Sequence, residues 1–149
     1  MSKTRKILTA AMLFFTVAAL LLSSCGGFSW SRDEKKLLKA GYELYSSATG
    51  ESKCLPYSEY LNEQFASAGY SFTVKIVRYA AYSKSVGTED DGFGGCTMTQ
   101  FSSEDEAASF IKYARGRGMR NGEKYAVFGD TVVSVTSDAC AKLLGYNFS

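Results

Sequence analysis

Hydrophobic positions along the chain fall into two regimes. From Ile7 to Leu22 no residue is charged, and only Thr9 and Thr16 are polar. From residue 32 onward the apolar positions become periodic. Leu37, Leu38, Gly41, Leu44 and Tyr45 recur every three or four residues and predict a helix over Arg32–Ala48. Thr49-Gly50-Glu51-Ser52 breaks the pattern. A second helix opens at Pro56, whose missing N–H costs nothing in a first turn. It runs to about Ala68 with Tyr57, Tyr60, Leu61, Phe65 and Ala68 on one face, and Gly69 ends it. Phe72, Val74 and Ile76 then alternate with Thr73 and Lys75, which predicts a strand over Ser71–Ser83. Cys96–Phe101 is a second strand, and a glycine-rich stretch, Gly87–Gly95, forms the long tip of their hairpin.

The third helix opens at Ser102-Ser103. Ser103 and Glu106 have capping-box spacing, and Glu104 and Asp105 suit the positive end of the helix dipole. Ala107, Phe110, Ile111 and Ala114 form its apolar stripe. Tyr125–Thr136 reads as a tight hairpin around Gly129-Asp130, a pair suited to a type II′ turn. Ser137 caps a last helix, with Cys140, Leu143 and Leu144 inward and Gly145 closing it. The order is ααββαββα. Short connections favour antiparallel neighbours, so the expected fold is α+β: a single domain with a four-stranded, mainly antiparallel sheet and helices on one face.

The start of the chain has a separate logic. Lys3, Arg5 and Lys6 precede the uncharged run, and the small residues Ser23 and Ser24 follow it. A basic head, an apolar stretch and a small-residue exit make the three-part pattern of a secretion signal. The run has 16 residues. At 1.5 Å per residue it would span about 24 Å as a helix, short of a hydrocarbon core of about 30 Å. Leu22-Ser23-Ser24-Cys25 at the exit resembles a lipobox, the processing site of bacterial lipoproteins. The resemblance covers residues 1–27. It implies a diacylglyceryl group on the Cys25 thiol, cleavage before Cys25, and a new amino group open to acylation. The organisation then reads as signal peptide 1–24, lipidated tether 25–31 and globular domain 32–149. Phe28 and Trp30 in the tether suit either the membrane interface or docking on the domain. Gly26 stands where an Asp retention signal would sit. The resemblance therefore implies the outer membrane in a two-membrane host, and the outer face of the cell membrane otherwise.

Removal of the leader changes the charge argument. Fourteen basic residues then face fifteen acidic ones, a net charge of −1, so nothing in the overall charge points to nucleic acid. Histidine is absent, which excludes Ser-His and Cys-His nucleophile systems and the usual zinc sites. No cofactor loop is present. The expectation is a lipid-held binding or envelope-associated module, without catalytic residues, metal or cofactor, that meets the membrane through Cys25 and an envelope protein or polymer through its domain. A small extracytoplasmic enzyme with a Cys or carboxylate site is the alternative, and an inhibitor-type protein a third.

Two groups carry the candidate chemistry. Cys54, Cys96 and Cys140 remain once Cys25 is lipidated. They offer either one disulfide, which an exported protein can keep, or buried thiols acting as small apolar side chains. No Cys-x-x-Cys motif is present. The long hairpin tip supplies a candidate binding loop of Tyr79, Tyr82, Glu89, Asp90, Asp91 and Phe93, with the two tyrosines expected to be exposed. Its three acids fall short of the six to eight oxygens that calcium takes. Arg115, Arg117, Arg120 and Lys124 read as helix-end capping followed by a turn.

Overall fold

The computed structural model describes residues 27–84, 94–117 and 123–149. Among them four helices and five strands follow in the order α1 (Trp30–Lys39), β1 (Glu43–Thr49), α2 (Glu51–Ser67), β2 (Ile76–Lys84), β3 (Gly94–Phe101), α3 (Glu104–Gly116), β4 (Lys124–Phe128), β5 (Thr131–Val135) and α4 (Asp138–Leu144). The α+β class stands. The sheet has five strands rather than four, in the order β1-β2-β3-β5-β4, and every neighbouring pair is antiparallel. The element order is αβαββαββα. No helix among the described residues is long and apolar enough to cross a membrane. The expected leader 1–24 and Cys25 lie outside the described residues.

The additional strand comes out of the expected first helix. Gly41 is not a member of an apolar stripe. It sits at φ +84° and ends α1. Its N–H bonds the Leu38 carbonyl at 3.0 Å and the Tyr42 N–H bonds the Leu37 carbonyl at 3.0 Å, the paired bonds of a Schellman cap. The chain leaves this turn extended and pairs with β2 as an edge strand. Leu44 and Tyr45, members of the expected helical stripe, are 47% and 81% exposed.

The second helix begins earlier than expected, at Glu51, behind Gly50 at φ 97°. Pro56 therefore lies inside it, where it removes one ladder hydrogen bond. The strand after it begins later, at Ile76, because the preceding backbone bonds side chains instead of a neighbouring strand. Asn62 bonds both the N–H and the carbonyl of Val74, at 2.8 and 3.0 Å. Ser58 accepts from Ile76 N–H at 2.9 Å, and Glu106 accepts from Lys75 N–H at 3.0 Å. The caps of the C-terminal half sit where expected. Ser103 accepts from Glu106 N–H and Ser137 from Cys140 N–H. Gly129 has φ +59° while Asp130 stays at negative φ, the type II′ signature.

Helices cover both faces of the sheet, not one. The reason is the alternation along each strand, which supplies two apolar faces. Ile76, Phe101, Tyr125 and Val132 pack with Phe65 of α2 and Ile111 of α3. Ala80, Tyr82, Cys96, Met98, Val133 and Val135 pack with Leu37 of α1 and Leu144 of α4. The tether aromatics dock on this second face. Phe28 stacks on Phe128 at 5.6 Å, and Trp30 lies 4.0 Å below the Arg78 guanidinium.

Candidate binding cleft

The site is built from one row of residues that crosses the sheet. The pairings Ser46–Ala81, Ala81–Thr97, Thr97–Ser134 and Ser134–Tyr125 run through all five strands in register on the α2/α3 face. Four of these five side chains are small. Where a row of small side chains meets two helices, the helices cannot close over it, and a trough remains. Helical spacing brings Tyr57, Tyr60, Leu61 and Gln64 of α2 to one wall. Phe110 and Tyr113 of α3, with Arg117 just past its end, form the other.

The trough has two parts. The inner part, of about 160 Å³, has Thr97, Thr99, Val132 and Ser134 as floor. The outer part, of about 430 Å³, opens toward the β1 edge past Tyr45, Ser46, Tyr79 and Ala81. Tyr57, Tyr60 and Thr97 belong to both. The aromatic wall is held in place. The Tyr57 and Tyr79 rings lie 4.9 Å apart, and the Tyr79 hydroxyl bonds the Ser46 hydroxyl at 3.1 Å. Burial pushes the Tyr57 hydroxyl above its usual pKa. Tyr60 remains 53% exposed at the mouth.

The inner end is polar. Arg117 and Glu123 form an ion pair at 3.4 Å, and the Arg117 guanidinium lies 5.3 Å from the Tyr113 ring centre. Tyr125 stands beside them. Its hydroxyl is buried and makes no hydrogen bond of ordinary geometry among the described residues; burial pushes its pKa up to about 12. Among the described residues lining the trough, Glu123 is the single carboxylate and none is a cysteine. The surface therefore offers aromatic faces, hydroxyls and one internally neutralised ion pair.

The residues singled out from the sequence do not assemble as a loop site. Tyr79 and Tyr82 are three apart on β2 and so point to opposite faces. Tyr79 lines the cleft, while Tyr82 is buried against α1, at 3% exposure, and is not a surface residue. Glu89, Asp90, Asp91 and Phe93 lie outside the described residues. Cys54, Cys96 and Cys140 are all buried free thiols. Arg115 bonds Ser149 and Lys124 pairs with Asp138, so these cations have local partners, as does Arg117; Arg120 lies outside the described residues. Among the described residues no group of three or more His, Cys, Asp or Glu side chains is placed to hold a metal ion.

Apart from Tyr79 and Arg117, the cleft residues do not stand out as a site in the sequence. Tyr57 and Tyr60 stood out only as an apolar helix face, and Thr97 and Ser134 as alternating strand positions. The available signal was small polar residues at inward positions of successive strands, and its meaning depends on a register that one sequence does not supply. The chain matches no known family model, no curated protein and no solved structure.

Proposed function

We propose that this chain is a lipid-anchored, extracytoplasmic binding module that holds a component of the bacterial envelope in the tyrosine-walled cleft. The observation that carries the binding half is the cleft itself: a row of small residues, walled by Tyr57, Tyr60 and Tyr79 and closed at one end by the Arg117–Glu123 pair. Tyrosine supplies broad amphipathic contact at low entropy cost and is favoured in recognition surfaces. Among the described residues the lining has one carboxylate, engaged by Arg117, and not the paired groups of a hydrolytic site.

The localisation half rests on the sequence. The leader and the Leu22–Cys25 motif resemble those of lipoproteins, which implies a diacylglyceryl group on Cys25 and a domain on the outer face of a membrane. In a two-membrane host that membrane is the outer one. Two acyl chains suffice for stable attachment. Anchoring confines the domain to a surface and raises its effective concentration toward neighbouring envelope polymers and proteins, so modest affinity in the cleft is sufficient.

The test is cosedimentation of the soluble domain with isolated cell-wall polymer, alongside pull-down from solubilised envelope protein. Tyr60→Ala, which removes an exposed wall residue, should weaken retention about tenfold or more, as expected of an aromatic anchor. Ala81→Phe, which fills the outer cleft, should do the same. Leu38→Ala, on α1 across the sheet, should leave retention unchanged. Equal retention of all three variants would remove the cleft from the reading.

A further inference from the structure

Cys96 and Cys140 lie on one face of the sheet and Cys54 on the other. Cys96 is on β3, directly paired with Val135 of β5. Cys140 follows five residues later on α4, which folds back over the same strands. Both belong to the core formed with α1, at 1% and 0% exposure. Tyr42 packs into the same core, and α4 lies against β3 there. Cys54 belongs to the core under α2 and α3. A sheet one residue thick separates it from the other two, so of the three pairings open to these thiols, only one needs no rearrangement of the fold.

We infer that Cys96 and Cys140 are joined by a disulfide in the mature protein, which staples α4 to the sheet, and that Cys54 stays a free thiol. The inference rests on the extracytoplasmic reading, because disulfides persist in oxidising compartments. The oxidant is a small-molecule or protein disulfide of that compartment. One cysteine thiolate attacks it, forming a mixed disulfide and releasing one thiol. The second cysteine thiolate attacks the mixed disulfide, forming the Cys96–Cys140 bond and releasing the other thiol. Two protons leave the cysteines, and their two electrons reduce the oxidant. Because both sulfurs are buried in the finished fold, the bond must form before α4 closes.

The experiment has two arms on the full-length chain. In one, detergent-solubilised, reduced protein is refolded in a glutathione redox buffer. In the other, thiols are trapped by alkylation in intact cells producing the protein. Each sample is then denatured without reduction and its cysteines mapped by mass spectrometry. The expected result in both arms is a Cys96–Cys140 linked peptide with Cys54 alkylated. Reduction should lower Tm by about 10 °C or more, given the long loop the bond closes. A bond in the buffer with none in cells supports the pairing and overturns the extracytoplasmic location. Cys96 and Cys140 both alkylated in both arms, or a bond that includes Cys54, overturns the pairing.

Discussion

Tyr146 donates its phenolic hydrogen to the carboxylate of Asp33, 113 residues earlier in the chain. Asp33 is fully buried, yet it belongs to a run of charged residues whose neighbours face solvent. Its charge is met by the Ser29 N–H at 3.1 Å, Arg32 Nε at 3.1 Å and the Tyr146 hydroxyl. Arg32 also bonds the Tyr146 hydroxyl, at 2.7 Å. The network fixes the start of α1, and hence the tether, against the C-terminal tail. Tyr146→Phe leaves a buried carboxylate short of a donor and should cost about 1.5–3 kcal/mol. Arg32 is 42% exposed, so Arg32→Ala should cost at most about 1 kcal/mol. Urea unfolding of both variants checks this ranking; the reverse order would show that the ion pair, not the phenol, carries the network.

Three tyrosines make the fold sensitive to alkali. Burial pushes Tyr82, Tyr125 and Tyr146 each up to about 12, assisted at Tyr146 by its bond to Asp33. Their unfolded value is about 10. The folded state therefore holds these protons more tightly than the unfolded chain. Their contribution to stability is complete below pH of about 10 and is lost as pH rises from there through about 12. The denaturant midpoint should hold from neutral pH to about 9 and then fall steeply. Tyrosinate absorbance that reaches its full amplitude near pH 10 with the fold intact would contradict this account.

Gly116, the last residue of α3, should resist replacement despite its helical position. Alanine there gains about 1 kcal/mol of helix propensity, but its Cβ would fall onto the Tyr70 hydroxyl. That ring is confined between Phe72, at 5.0 Å, and Tyr113, at 5.8 Å. Overpacking costs about 1–3 kcal/mol, so Gly116→Ala should be net destabilising by about 1 kcal/mol. Tyr70→Phe, which removes the obstructing oxygen, should turn the same substitution neutral or favourable. A double-mutant cycle by thermal unfolding measures the difference.

The parts of this fold that local chemistry specifies were legible in the sequence. Ser103, Ser137 and Gly145 mark helix ends by capping, and Gly129-Asp130 marks its turn by a positive φ at glycine. The rest depends on distant partners. Nothing local distinguishes Gly41 as a helix terminator from Gly41 as a small residue on a helix face. Residues 71–75 alternate like a strand, but Asn62 and Ser58 take up the backbone bonds a neighbouring strand would need. The burial of Asp33 is unforeseeable without Tyr146 beside it. The cleft exists only because Ser46, Ala81, Thr97 and Ser134 fall in one register across four strands.

The anchor makes its own prediction. Growth with labelled fatty acid should place label on the wild-type protein, and Cys25→Ala should abolish it and leave the precursor uncut. Mass spectrometry of the mature amino terminus should find Cys25 first and acylated. An unlabelled, membrane-bound protein that retains residues 1–24 would replace the lipid anchor with an uncleaved apolar one.

The most direct test of the central claim is to map ligand contacts by amide chemical-shift perturbation. Isotope-labelled soluble domain would be titrated with soluble glycan fragments of the cell wall, and separately with protein released from the envelope. The account predicts saturable shifts from at least one of these, concentrated at Ser46, Tyr57, Tyr60, Ala81, Thr97 and Ser134, with α1 and α4 unmoved. Shifts centred on the α1/α4 face instead, or no saturable shift from either material, would contradict it.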